Sequence, residues 1–390
     1  MGLQPKPLHA RALVIAVALG TTAVPPVQAG ADEQPHAAND AWPIFRGDQA
    51  LTGIARGELP ARLKLHWTYK AGESIRSSPV IRDGRVWIGC DDGRLLALEL
   101  TGGRLLWSFA TDDIIEAPPT LVDDLVVVGA GDGRLYALGA DEGDLRWKYA
   151  AEDKIVGAAN WARDEATGRT RILVGSYDNR LHCVDAADGK PLWQYDTDNF
   201  INGAVAVHGG RAVFGGCDGL LHVVRVHDGK ALARIDIGSY VAGSAAIVAD
   251  RAYVGHYGQK VAGIDMVAGK VAWEYQDRPF AFFSSPAVTD DRVVIGGRDR
   301  RLHCLGREQG RRLWTFQTRG RVDSSPVICG GKAVVGSEDG RLYVVNLRDG
   351  SQEWSYDVGE AISGSPAVAA GFIVVGAEDG RVYAFSGTPD

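Results

Sequence analysis

Between residues 75 and 385, short apolar runs alternate with tight polar turns, and one unit recurs about every 40 residues. Its first segment reads Ile75-Arg76-Ser77-Ser78-Pro79-Val80, and later Val322-Asp323-Ser324-Ser325-Pro326-Val327 and Ile362-Ser363-Gly364-Ser365-Pro366-Ala367. A strand, a two-residue turn and a second strand follow, as in Val86–Leu98 around Asp92-Gly93 and Val334–Val344 around Asp339-Gly340. Asp-Gly supplies the positive backbone angles that such a hairpin needs. It recurs at Asp132-Gly133, Asp218-Gly219 and Asp379-Gly380, and degenerates at Asp178-Asn179, Gly258-Gln259 and Asp299-Arg300. The unit closes on a turn Gly (103, 143, 189, 229, 269, 310, 350) and, four residues on, a Trp (107, 147, 193, 273, 314, 354). At Ala233 that Trp is missing, which predicts a weaker outer seam in the fourth unit.

Four short strands per unit of this size predict an all-β, eight-bladed β-propeller, because one unit is too small to bury a sheet alone. Eight hairpins stand against seven Gly-to-Trp segments, so the last blade lacks an outer strand. The run Leu63-Lys64-Leu65-His66-Trp67-Thr68-Tyr69 supplies it and removes two exposed sheet edges. The propeller is thus assigned to residues 61–390, closed by the N-terminal strand around Trp67.

Ahead of it, residues 30–60 read as a polar linker and a leader, Ala41-Trp42-Pro43-Ile44-Phe45-Arg46-Gly47-Asp48, whose aromatics suit packing on one propeller face. Lys6 and Arg11 precede the apolar run Ala12–Leu19, and Val27 and Ala29 fit a peptidase site before Gly30. Residues 1–29 therefore read as a signal peptide, giving a periplasmic or otherwise exported chain. The run is too short to span a bilayer, and no Cys follows it until Cys90, which argues against a lipid anchor. Cleavage removes two cations and no acid, taking the net charge from -7 to about -9. Dispersed acidity with no basic stripe excludes a nucleic-acid binder.

The five Cys read as buried free thiols. Cys90 with Cys217, and Cys183 with Cys304, fall at matching places in different units, well separated in a ring. His182, His222 and His303 share one strand position, which suits packing or hydrogen bonding better than a metal site.

The pattern Ala97-Leu98-Glu99…Gly103…Trp107, with Val184-Asp185…Gly189…Trp193, resembles the repeat of pyrroloquinoline-quinone (PQQ) propellers. The leader Trp42-Pro43-x-Phe45-Arg46-Gly47 is similar to that of exported PQQ-like repeat proteins. The resemblance spans nearly all of the mature chain. It implies either a quinoprotein dehydrogenase, with PQQ and Ca²⁺, or a non-catalytic propeller such as the outer-membrane assembly lipoprotein. The dehydrogenase branch needs oxygen ligands for Ca²⁺, a carboxylate base and long pocket loops, and its members often carry adjacent Cys residues. Here no two Cys are adjacent, and the one notable insertion is Arg163–Arg171 in the third unit. No catalytic residue and no metal ligand is assigned. The turn aspartates are explained by turn chemistry.

The most distinctive residues cluster in the fourth to sixth units. Phe200, Asn202, Tyr240, Phe280, Phe282 and Phe283 fall in turns leading to inner strands. Tyr177, His256, Tyr257 and Arg298 fall in hairpin tips. In a propeller both loop sets lie on one face, where aromatics and Arg make a recognition patch. Arg76, Glu116, Arg321 and Asp323 belong to the same face, with an internal ion pair expected in the channel. The expectation is a monomeric, non-catalytic envelope propeller that needs no cofactor and binds a protein partner or small ligand through that face. The alternatives are a PQQ- and Ca²⁺-dependent dehydrogenase and a sensor or ligand-binding module.

Overall fold

A computed structural model describes residues 1–2, 41–164 and 167–387. The chain divides into an N-terminal unit, Met1–His36, and a second unit, Ala37–Asp390. The expected signal segment and polar linker lie outside the described residues. Everything below concerns the second unit.

It is an eight-bladed β-propeller. Blades 1 to 7 span residues 80–110, 120–150, 160–196, 206–236, 246–275, 287–317 and 327–357. Each is a four-stranded antiparallel sheet, and blade 7 gains a fifth, parallel strand, Ile54–Ala55, on its inner side. Blade 8 combines Ala367–Ala369, Phe372–Ala377 and Arg381–Gly387 with Leu63–Lys70 as outer strand. Trp67 pairs with Ala384 in that ladder, so the closure expected from the count of turns is realised.

The degenerate hairpins keep the geometry that Gly supplies elsewhere. Asn179, Gln259 and Arg300 carry φ of 68°, 66° and 65°. The insertion of blade 3 joins its first two strands, Asn160–Arg163 and Thr170–Gly175.

Each outer-strand Trp docks on the next blade. Trp67 lies over Gly103, so close that a Cβ there would stand 2.6 Å from the ring, and its Nε1 donates to the Leu100 carbonyl at 2.7 Å. Trp107, Trp147, Trp193, Trp273 and Trp314 repeat the clasp on Gly143, Gly189, Gly229, Gly310 and Gly350, donating to Ala140, Ala186, Val226, Arg307 and Leu347. Trp354 packs edge-on against Phe385 at 5.3 Å. Burying an indole with its N–H satisfied explains why the residue is Trp rather than Phe.

Two further devices bind the blades near the axis. Ser365 N donates to Ser78 Oγ, and Ser325, Ser285, Ser244 and Ala204 continue the relay, each amide donating to the next blade's serine. The recurring Ser ahead of the inner strand is therefore a blade-to-blade hydrogen bond. The leader supplies the second device. The amides of Ile81, Leu121, Val207, Ile247, Val288 and Ile328, at one register position of the inner strands, donate to the carbonyls of Trp42, Pro43, Gln49, Ala50, Thr52 and Gly53. At blade 3 the side chain of Asn160 reaches Gln49 instead. Residues 42–55 thus visit blades 1 to 7 in order before the chain enters blade 8.

All five Cys are free thiols, as expected. One expected equivalence fails. Cys217 N donates to Phe200 O as Asp91 N donates to Ser74 O, so Cys217 matches Asp91 rather than Cys90. Cys217 is accordingly half-buried at a hairpin tip, while the others are buried. No helix among the described residues is long and apolar enough to cross a membrane.

Candidate functional site

The connections into the inner strands and the hairpin tips meet on one face, locked by one hydrogen bond per blade. The tip amides of Asp91, Gly131, Tyr177, Cys217, Tyr257, Arg298, Glu338 and Glu378 donate to Ser74, Ile114, Lys154, Phe200, Tyr240, Ala281, Arg321 and Ala361. Those tip residues form one ring around the channel mouth. The residue four places before each inner strand forms a second ring: Arg76, Glu116, Val156, Asn202, Ala242, Phe283, Asp323 and Ser363.

Both rings are divided. Blades 7, 8, 1 and 2 contribute charge. Arg76 bridges Asp91 at 2.7 Å and Glu116 at 2.5 Å, while Arg298 reaches across from blade 6 to grip Asp323 at 2.6 Å. Burial alone would lower Arg76, but Asp91, Glu116 and Glu378 outweigh it and hold the guanidinium above its usual value. Burial also raises the Glu338 carboxyl, helped by Asp323 and Glu378 against Arg321 and Arg298. Arg321 is exposed, 3.9 Å from Glu338.

Blades 3 to 6 contribute aromatic and apolar surface. Tyr177 stacks on Phe200 at 4.8 Å, with the Lys154 ammonium 4.4 Å from its ring centre. Tyr240 meets Tyr257 at 6.3 Å, Tyr257 meets Phe283 at 4.4 Å, and the Arg298 guanidinium covers Phe283 at 3.5 Å. Asn202 donates to Cys217 Sγ. Phe200, Tyr240, Tyr257 and Phe280 are 41–52% exposed, an unusual loss of apolar burial for one face.

Two residues placed on this surface from sequence do not reach it. Phe282 is 2% exposed and packs on His303 at 5.2 Å, because it takes the place that Ile or Val fills in other blades. His256 is also 2% exposed, and burial lowers its pKa. Its Nδ1 accepts from Gly258 N, so it shapes the tip that presents Tyr257.

Asp91, Cys217, Glu338 and Glu378 at the tips, and Lys154 in the connection to blade 3, were not placed on this face from sequence. Their signal was register: each tip residue stands two places after the Gly, or its equivalent, that ends the second strand. Misaligning Cys217 by one place hid it.

Elsewhere, the shared strand position of His182, His222 and His303 is a buried hydrogen-bond network. Each ring donates to or accepts from an Asp (178, 218, 299) on one side and a Tyr (149, 195, 275) on the other. On the opposite face, a cleft of about 690 Å³ opens beside Gln49, Trp161, Asp164 and His227. The Asp164 carboxylate there is held well below the carboxylate range by His227, with Arg171 and the Thr167 amide adding to it.

Several comparisons bear on what this architecture is. Over residues 60–160, 158–281 and 278–388 the chain matches the PQQ-repeat family described as outer membrane protein assembly factor BamB. No curated protein matches it significantly. Among solved structures, BamB from Moraxella catarrhalis is 18% identical, covering 83% of this chain and 100% of its own, with a TM-score of 0.71. A europium-containing methanol dehydrogenase is 13% identical, covering 91% and 98%, at TM-score 0.73. The quinohemoprotein alcohol dehydrogenase from Comamonas testosteroni is 14% identical, covering 91% and 82%, at 0.76. At these identities the structures establish the fold alone, whereas the repeat match extends over the whole propeller. The chain belongs to the BamB family of PQQ-repeat β-propellers.

Proposed function

We propose that this chain is a non-catalytic scaffold of the cell envelope that holds a partner protein against its loop face. The observation that carries the reading is one-sided aromatic exposure: among the described residues the four exposed aromatics, Phe200, Tyr240, Tyr257 and Phe280, all lie on the loop face of blades 3 to 6, beside a charged half-ring. Aromatic anchors flanked by charge suit a protein interface, where aromatics carry affinity and charges set orientation. The family description supports an envelope location, and export through residues 1–29 is part of the proposal.

A quinone held by Ca²⁺ suits the same mouth poorly. Ca²⁺ needs several free oxygen ligands, and Asp91, Glu116 and Asp323 are already engaged by Arg76 and Arg298. The one His/Asp group among the described residues with metal-like spacing is Asp277, Asp299 and His303. There Asp277 receives Arg301 and Arg312, and His303 faces Asp299 and Tyr275.

Arg298 is bound to Asp323 and Phe283, so substituting it mixes folding with binding. Tyr240→Ser, Tyr257→Ser and Phe280→Ser together test recognition more cleanly. Affinity for the captured partner is expected to fall at least about tenfold, since each anchor contributes roughly 1 kcal/mol or more. The melting temperature should stay within about 2 °C, as for exposed substitutions generally. Unchanged capture, or dye-linked alcohol oxidation after reconstitution with PQQ and Ca²⁺, contradicts the proposal.

A further inference from the structure

The clasp between blades 4 and 5 is built on one side only. Ala233 stands where the outer strand of every other blade carries a Trp. The receiving turn, Met266-Val267-Ala268-Gly269, keeps the geometry of its siblings, with Gly269 at φ 64°. At the other five internal junctions a Cβ on the equivalent Gly would strike an indole at 2.3–2.7 Å, whereas nothing lies within 4 Å of Gly269. Among the described residues no indole donates to Met266, although six Trp donate to the matching carbonyls elsewhere.

The turn itself has changed character. At the place of Val267 the other turns carry Thr101, Asp141, Ala187, His227, Glu308 and Arg348, and Met266-Val267-Ala268-Gly269 as a whole is the only one of the seven turns with no polar side chain. Val267 is 75% exposed, more than any other large hydrophobic of the propeller. Losing the internal Trp while making the receiving turn apolar is the opposite of what a solvent-facing gap favours.

We propose that this junction is a docking notch for a tryptophan side chain presented by a partner polypeptide. The indole would lie over Gly269 with its N–H donated to the Met266 carbonyl, as the chain's own six indoles do. Val267 extends the apolar surface beyond one ring, which favours a side chain borne on a polypeptide over a free indole. The notch lies at the outer edge of the face opposite the loop surface, so it stands independently of the proposed scaffold site.

The test uses the full-length chain and the tripeptide N-acetyl-Gly-Trp-Gly-amide carrying 5-fluorotryptophan, followed by ¹⁹F NMR. Saturable binding of roughly millimolar strength is expected from one buried aromatic side chain. Ala233→Trp and Ala233→Phe should each weaken it at least about tenfold by filling the notch, and one folded variant suffices. The tripeptide with 4-fluorophenylalanine, which lacks the N–H, should bind about threefold to tenfold more weakly. The triple loop-face variant should bind the tryptophan peptide like the parent. No saturation by about 10 mM, equal binding to the filled variants, or equal binding of the two peptides overturns the inference.

Discussion

Deleting residues 61–70 is expected to leave a chain that aggregates or fails to fold. The deletion removes the outer strand of blade 8 and the Trp67 clasp that joins the last blade to the first. It uncovers the edge of Arg381–Gly387 and the rings of Tyr383 and Phe385, which are now 6% and 0% exposed. Loss of Trp67 alone costs about 3–5 kcal/mol. Against a total stability of about 5–15 kcal/mol, that loss together with an open sheet edge is decisive. The milder Trp67→Ala change should keep the fold and lower the melting temperature by roughly 6–15 °C. Sedimentation and thermal melts decide the matter. A monomeric truncation that melts like the parent contradicts ring closure through Trp67.

Starting the chain at Glu58 is expected to strip protection from six amides at once. Ile81, Leu121, Val207, Ile247, Val288 and Ile328 each donate to the leader. Without it they face the channel unpaired and should exchange faster by about a hundredfold or more, as local opening then requires little free energy. The effect on global stability is smaller than the buried surface suggests. Trp42, Ile44 and Leu51 are 1–2% exposed and contribute about 5–8 kcal/mol together as an upper bound. Arg46 works against them. Its guanidinium is fully buried, its Nε and Nη1 have no partner among the described residues, and burial lowers its pKa to about 9. Removing a buried, half-satisfied cation returns several kcal/mol. The ring should therefore persist, with amides of the central strands, such as Val127 and Val334, still protected. Continued protection of the six donors would mean that the leader does not hold them.

How far the sequence foretold this molecule depends on how each residue acts. Asp-Gly turns, the closing Gly and the Trp four places later are local rules repeated from blade to blade, so blade number and closure through Trp67 were readable. The gap at Ala233 was readable for the same reason, as a missing member of a set. What stayed hidden depends on distance in the chain. The Ser78–Ser365 hydrogen bond joins residues 287 apart, and the leader meets seven blades scattered over the chain. The loop face was legible as a cluster of types but not of exposures. Phe280, Phe282 and Phe283 look alike in sequence, yet they are exposed, buried and half-covered by Arg298 respectively. Of the charged half-ring, Arg76, Glu116, Arg321 and Asp323 were readable, whereas Asp91, Glu338 and Glu378 were not, because they sit in turns whose Asp and Glu are expected on conformational grounds alone.

Site-specific photo-crosslinking in the native envelope tests the scaffold reading most directly. A photoreactive residue at Tyr240 or Phe280, both about half exposed on the loop face, should give a discrete adduct with one partner protein. The same residue at Gly331, in a tight turn of the opposite face at blade 7 and away from the junction of blades 4 and 5, should give none. Adducts confined to Gly331, or equal from Gly331 and the loop face, would contradict the account.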